Sequence, residues 1–137
     1  MKLFNVKIGS LFKYGIFLLA AILAINSSAA NADNWYQGGT LHDANALAWQ
    51  KASPKDKLAT CADFIAGLYS KNLLSTEIRN KMKSVDDFKP YASELVKQLD
   101  AAFAPEADSA KNKKMFSNQS VKSTAMMIII MMKWVQS

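Results

Sequence analysis

The residues of this 137-residue chain with chemistry to offer are one histidine, one cysteine, an acidic doublet, two methionine doublets and a lysine cluster. His42 could act as a general base, and its neighbour Asp43 could orient it. Successive residues of a helix point in different directions, however, so the adjacency predicts a helix-start histidine bonded to backbone. Cys61 would be nucleophilic only as a thiolate, which needs a cationic neighbour. Lys57 stands one helical turn earlier, and a single solvated lysine is weak support, so Cys61 is expected as a small buried residue of a helix. With one cysteine there is no intramolecular disulfide. Asp86-Asp87 resembles a carboxylate pair, but acids also gather at helix starts for electrostatic reasons.

Met126-Met127 and Met131-Met132 carry thioethers, the ligands that suit Cu(I). Flanking Ile128, Ile129 and Ile130, they are expected instead to fill a core. Catalytic zinc takes three protein ligands, and the chain has one histidine and no paired-histidine spacing. Gly38-Gly39 is no phosphate-cradling loop. Residues 58–83 imitate a helix-turn-helix, which the export signal described below argues against. No residue is therefore assigned a catalytic, cofactor-binding or metal-ligating role, and the expectation is a protein that is not an enzyme and takes no cofactor. Lys111, Lys113 and Lys114, beside Met115 and Phe116, are expected on a solvated loop. Their alternative use is contact with anionic lipid or envelope polymer.

The segment that must deliver these residues to their place of work is the N-terminus. Lys2, Lys7 and Lys13 precede the apolar run of residues 16–25. Ala30-Asn31-Ala32 then forms a small-x-small cleavage site. Residues 1–32 read as a signal peptide, leaving residues 33–137 as a single domain in the periplasm or outside the cell. Retention of the leader as an N-terminal anchor is the alternative. Three of the 17 basic residues lie in the leader and all 11 acidic ones lie beyond it. The net charge of +6 thus falls to about +3 after cleavage, weak grounds for a nucleic-acid partner.

Helical periodicity dominates the remainder. A first helix is predicted over residues 41–52, capped by Thr40. A second follows Ser53-Pro54, with Leu58, Cys61, Ala62, Ile65, Leu68 and Tyr69 on one face. A short third covers residues 76–83 behind Ser75. A fourth starts within residues 84–87 and carries the stripe Phe88, Ala92, Leu95, Val96, Leu99 and Phe103. Residues 106–120 are polar and read as a flexible connection. The last helix, residues 121–135, is apolar on every side, which predicts a central position surrounded by the others. The fold class is all-α, a compact bundle of four to five helices.

Trp35-x-x-Gly38-Gly39-Thr40-Leu41-His42-x-Ala44, Trp49-x-x-Ala52 and Lys57-Leu58-Ala59-Thr60-x-Ala62-Asp63 resemble a family of small exported bacterial helical proteins. Its members pair a GTLH segment with a downstream NKLATAAD segment. The similarity covers residues 35–64, with Asp56 where asparagine is common and Cys61 where alanine is. The family carries no settled activity; the resemblance implies a helical domain in which His42 and Asp63 sit in fixed local structure. Residues 60–64 are also similar to part of the periplasmic acid-stress chaperones, which depend on a two-cysteine bridge. Cys61-x-x-Phe64-Ile65-x-Gly67 is similar to a helix of periplasmic immunity proteins.

These readings converge on an exported, non-enzymatic binding or accessory protein of the cell envelope, acting through contacts with another protein. Chaperone-like, immunity-like and secretion-accessory roles fall within that class. The alternative is a peripheral envelope protein that meets anionic membrane through Lys111, Lys113 and Lys114 or through the retained leader.

Overall fold

Short polar side chains decide where the helices of this protein start. In the computed structural model, which describes residues 34–137, Asn45 accepts a hydrogen bond from the Ala48 N–H at 3.0 Å and opens α1 (Ala46–Lys51). Ser53 accepts from the Asp56 N–H and, with Pro54 at the first position, opens α2 (Pro54–Ser70). Ser75 caps α3 (Thr76–Lys81). Ser84 and Asp87 form a reciprocal capping box at a 3₁₀ turn, Val85–Phe88, which runs into α4 (Lys89–Ala102). Asp108 accepts from the Ala110 and Lys111 N–H groups to start α5 (Ser109–Phe116), and Ser120 starts α6 (Val121–Met131). Each such cap satisfies amides that have no partner within the helix and contributes about 1 kcal/mol. The fold is all-α; among the described residues there is no strand, only two isolated β-bridges.

Residues 35–137 cluster as one unit. The leader read in residues 1–32 lies outside the described residues. At the centre, α2 packs along α4, and α4 in turn supports α6; α1 packs on α5. Ile65 and Leu68 of α2, Leu95 and Leu99 of α4, and Ile129 of α6 are buried together with Trp49, Leu74 and Phe103. Trp49, Phe103 and Phe116 meet edge to face in series, with ring centroids 6.4 and 6.3 Å apart, a favourable arrangement of aromatic quadrupoles. At the N-terminal edge, Trp35 donates to Asp86 at 3.0 Å and lies under the Lys89 ammonium. Asp87 accepts from the backbone of Lys83 and Ser84. Asp87 therefore serves the turn that starts α4, while the Asp86 carboxylate holds Trp35.

Three expectations are corrected. The first helix begins at Ala46 rather than at residue 41, because Thr40 and His42 are committed to α2 and Asn45 takes the capping position. Residues 106–120 contain α5 rather than a flexible connection. Phe116 is buried there, and the Asn112 and Gln50 carboxamides bond each other at 2.8 and 3.1 Å. Five polar residues among the eight of α5 hid its period.

The third correction concerns the last helix, which stops at Met131 and is not enclosed. It buries Val121, Ala125 and Ile129 and turns Met127, Ile130 and Met131 outward, at 57, 59 and 73 % exposure. The two outward methionines are thus surface residues rather than core filler. Both ends of α6 are tied down by antiparallel bridges. Asn45 pairs with Ser120 at its start, and Leu74 with Val135 beyond its end.

This arrangement separates two neighbouring isoleucines. Ile129→Ala should cost about 2–5 kcal/mol through lost burial and a residual cavity. Ile130→Ala should stay within about 0.5 kcal/mol, as at other exposed positions. Urea unfolding of the two variants, read by circular dichroism, checks the order.

Candidate functional site

The GTLH and DKLATCAD segments, distant in the chain, close on each other. Asp56, Thr60 and Asp63 are spaced to share one face of α2. Residues 39–42 lie along that face. Gly39 comes so near that a Cβ there would sit 2.7 Å from the Thr60 nitrogen and 2.9 Å from the Ala59 carbonyl carbon. The Thr40 N–H and hydroxyl donate to the two carboxylate oxygens of Asp56 at 2.7 and 2.5 Å. The Leu41 N–H donates to the Thr60 hydroxyl at 3.2 Å, and that hydroxyl donates to Asp56 at 3.2 Å. Thr60 is fully buried with its hydroxyl satisfied. His42 Nε2 lies 2.8 Å from Asp63 Oδ2, and its ring stands edge-on to Phe64 at 5.6 Å.

Burial alone would raise the Asp56 pKa, but hydrogen bonds from Thr40 and Thr60, with the nearby His42, hold it below its ordinary 3.8. Hydrogen bonds that favour the charged carboxylate lower its pKa in this way.

The structure thus pairs His42 with Asp63 rather than with its neighbour Asp43. A histidine oriented by a carboxylate is two-thirds of a nucleophile-activating triad. Among the described residues no hydroxyl or thiol is hydrogen-bonded to the imidazole. Cys61 is fully buried, and burial, then the nearby Asp100 charge, push its thiol pKa upward, away from the reactive thiolate. Lys57 is turned elsewhere. Its ammonium donates to Asp100 at 2.8 Å beside the Trp49 indole N–H, which donates to the same oxygen at 2.9 Å. It also lies 5.4 Å from the Trp49 ring centroid. These contacts tie α1, α2 and the end of α4 together. No cluster of three His, Cys, Asp or Glu residues suited to a metal exists among the described residues.

The remaining candidates are surfaces. Lys111, Lys113 and Lys114 are exposed on α5. Lys111 and Lys114 line a shallow cleft of about 500 Å³ with Met115 and Glu106. At the far end of α6, Ile130, Lys133, Val135 and Gln136 line a second cleft of about 760 Å³ against Ser75. Sequence reasoning missed the second cleft, because it placed residues 130–135 within an enclosed helix. No helix among the described residues is long and apolar enough to cross a membrane. Comparisons with family models, with curated proteins and with solved structures find no match to this chain.

Two measurements probe the clasp. Gly39→Ala drives a methyl into helix backbone that has no room to yield, and should destabilise the fold by about 1–3 kcal/mol in urea titration. Asp56 has a depressed folded-state pKa, so its contribution to stability is present above the unfolded value of 3.8 and is lost as pH falls through the folded value. Asp56→Asn should therefore flatten the acid limb of a stability–pH profile measured below pH 5 while leaving its neutral limb parallel to the parent's.

Proposed function

We propose that this chain is an exported, non-enzymatic binding protein of the bacterial cell envelope that acts through contacts with another protein. The observation that carries this reading is the outward face of α6. Met127, Ile130 and Met131 are large, apolar and exposed on consecutive turns of a helix anchored at both ends. Scattered exposed apolar residues are ordinary, but a contiguous apolar face is a mark of an interaction surface. Methionine suits such a surface because its unbranched thioether adapts to its partner. Export is supported by residues 1–32, with their basic start, apolar run and Ala30-Asn31-Ala32 site. The clasp around Asp56 is read as architecture, since Thr40, Asp56 and Thr60 spend their donors and acceptors on one another and on the Leu41 backbone, and His42 is held to Asp63 through one ring nitrogen.

A second reading is favoured by one feature. Met115 is 50 % exposed beside Lys111 and Lys114, the combination of apolar anchor and cation that binds anionic membrane surfaces.

Site-specific crosslinking distinguishes them. A photoreactive benzoylphenylalanine in place of Met131 should give one discrete protein adduct in cells, and the same group in place of the exposed Lys97 should not. Adducts at neither position, together with co-sedimentation on phosphatidylglycerol vesicles but not on phosphatidylcholine vesicles, would replace the protein-binding reading with the lipid one. Intact mass measurement of the native product should show a chain beginning at Asp33.

A further inference from the structure

The C-terminal side of α6 ends in an arrangement that helix termination alone does not require. The Lys133 N–H donates to the Ile130 carbonyl at 3.0 Å and the Trp134 N–H to the Ile129 carbonyl at 3.1 Å, the paired bonds of a Schellman turn. Such a turn places one residue in the left-handed region, where glycine or asparagine is usual. The chain makes the same turn after α2, where the Leu73 N–H donates to Leu68 and Asn72 takes the left-handed position at φ 58°. After α6 the position is held by Lys133 at φ 57°. Lysine has no local hydrogen bond to offset that conformation, so a cationic side chain occupies the site at the expense of fold stability.

Beyond the turn the chain runs extended against residues 73–75. The Ser75 N–H donates to the Trp134 carbonyl at 2.8 Å, and the Gln136 N–H to the Leu73 carbonyl at 3.0 Å. This is the wide pair of an antiparallel ladder, with Val135 facing Leu74. In that pattern the N–H and carbonyl of the middle residue point away from the partner strand. Neither group of Val135 has a hydrogen-bond partner among the described residues. The 760 Å³ cleft beside this edge is lined on its apolar side by exposed Ile130 and half-buried Val135 and otherwise by the polar Ser75, Thr76, Gln136 and Ser137, and its charged side chain is that of Lys133. Lys133 forms no ion pair among the described residues.

We infer that this cleft takes an extended peptide segment of a partner protein, added as a strand along Val135, with an apolar side chain against Ile130 and a carboxylate on Lys133. Main-chain bonds to an open edge supply adhesion in this mode and side-chain pockets supply selectivity. The unpaired cation calls for an acidic group in the segment. The inference rests on the protein-binding reading above and gives that surface its ligand chemistry.

The test screens a synthetic library of hexapeptides with free carboxylates against the full-length chain. The selected peptide should carry a β-branched or aromatic residue and an acidic group, and should slow hydrogen exchange of the Val135 amide. N-methylation of its central amide should abolish binding. Lys133→Gly should weaken binding about tenfold or more, as expected for loss of a charge-assisted contact, while raising the melting temperature by a few degrees. That rise separates a lost ligand contact from a damaged fold. No enrichment, an unchanged affinity for the Lys133→Gly variant, or an undisturbed Val135 amide would each overturn the inference. A discrete Met131 adduct in cells together with no peptide enrichment would leave partner binding standing and remove strand addition as its means.

Discussion

Everything in this fold hangs on the approach of residues 39–42 to one face of α2. The absence of a Cβ at Gly39 lets the backbone lie against Ala59 and Thr60, and Thr40 then reaches both oxygens of Asp56. From there the order propagates. Residues 41–44 close in a turn, with the Ala44 N–H donating to the Leu41 carbonyl. Asn45 follows in position to cap α1. The Ala46 N–H and Ala44 carbonyl bond residues 119 and 121, which locates the start of α6. A contact at one edge of the domain thus determines where the outward face of its last helix stands. A long-range clasp of this kind suits a domain of about 100 residues, whose single core leaves little apolar area in reserve.

The side chains with the greatest chemical potential are consumed by architecture. His42 and Asp63 hold the lead-in to α2, Asp56 organises Thr40 and Thr60, and Asp87 caps the turn before α4. Cys61 is sealed in the core with its thiol held neutral by burial. The Asp100 carboxylate accepts from both Trp49 and Lys57. Leaving any of these polar groups unpaired would cost about 1–3 kcal/mol where they are buried. Their pairing explains how a small domain tolerates them.

The balance is different at α6. Its outward methionines and isoleucine add nothing to the core, and Lys133 occupies a backbone conformation that disfavours it. Stability would be served by polar residues on the helix and glycine in the turn. Local choices that work against the fold cluster where a surface has another task. Here they coincide with an open strand edge and a cleft.

How much of this was legible in the residues alone depends on the range of the interaction concerned. The all-α class, the Ser53-Pro54 start of α2, the inner stripes of α4 and of α2 apart from the exposed Tyr69, and the capping role of Asp87 follow from periodicity and capping, which act over one or two turns; the Trp35 contact of Asp86 does not. The first helix was placed too early because Thr40 is an equally good cap by local criteria, and only Asp56, sixteen residues on, claims its hydroxyl. α5 was missed because its stability comes from Phe116, which meets Phe103 in the core, and from the Gln50–Asn112 pair, which spans 62 residues. The last helix looked enclosed because composition reports how apolar a helix is, never which of its sides a neighbour covers. Local sequence determined the starts of α2, α3 and α6; tertiary structure decided where α1 begins and that α5 forms, that His42 meets Asp63, that Met127, Ile130 and Met131 face outward, and that Val135 keeps an open edge. The physical reason is that burial and strand pairing are set by what packs from elsewhere in the chain.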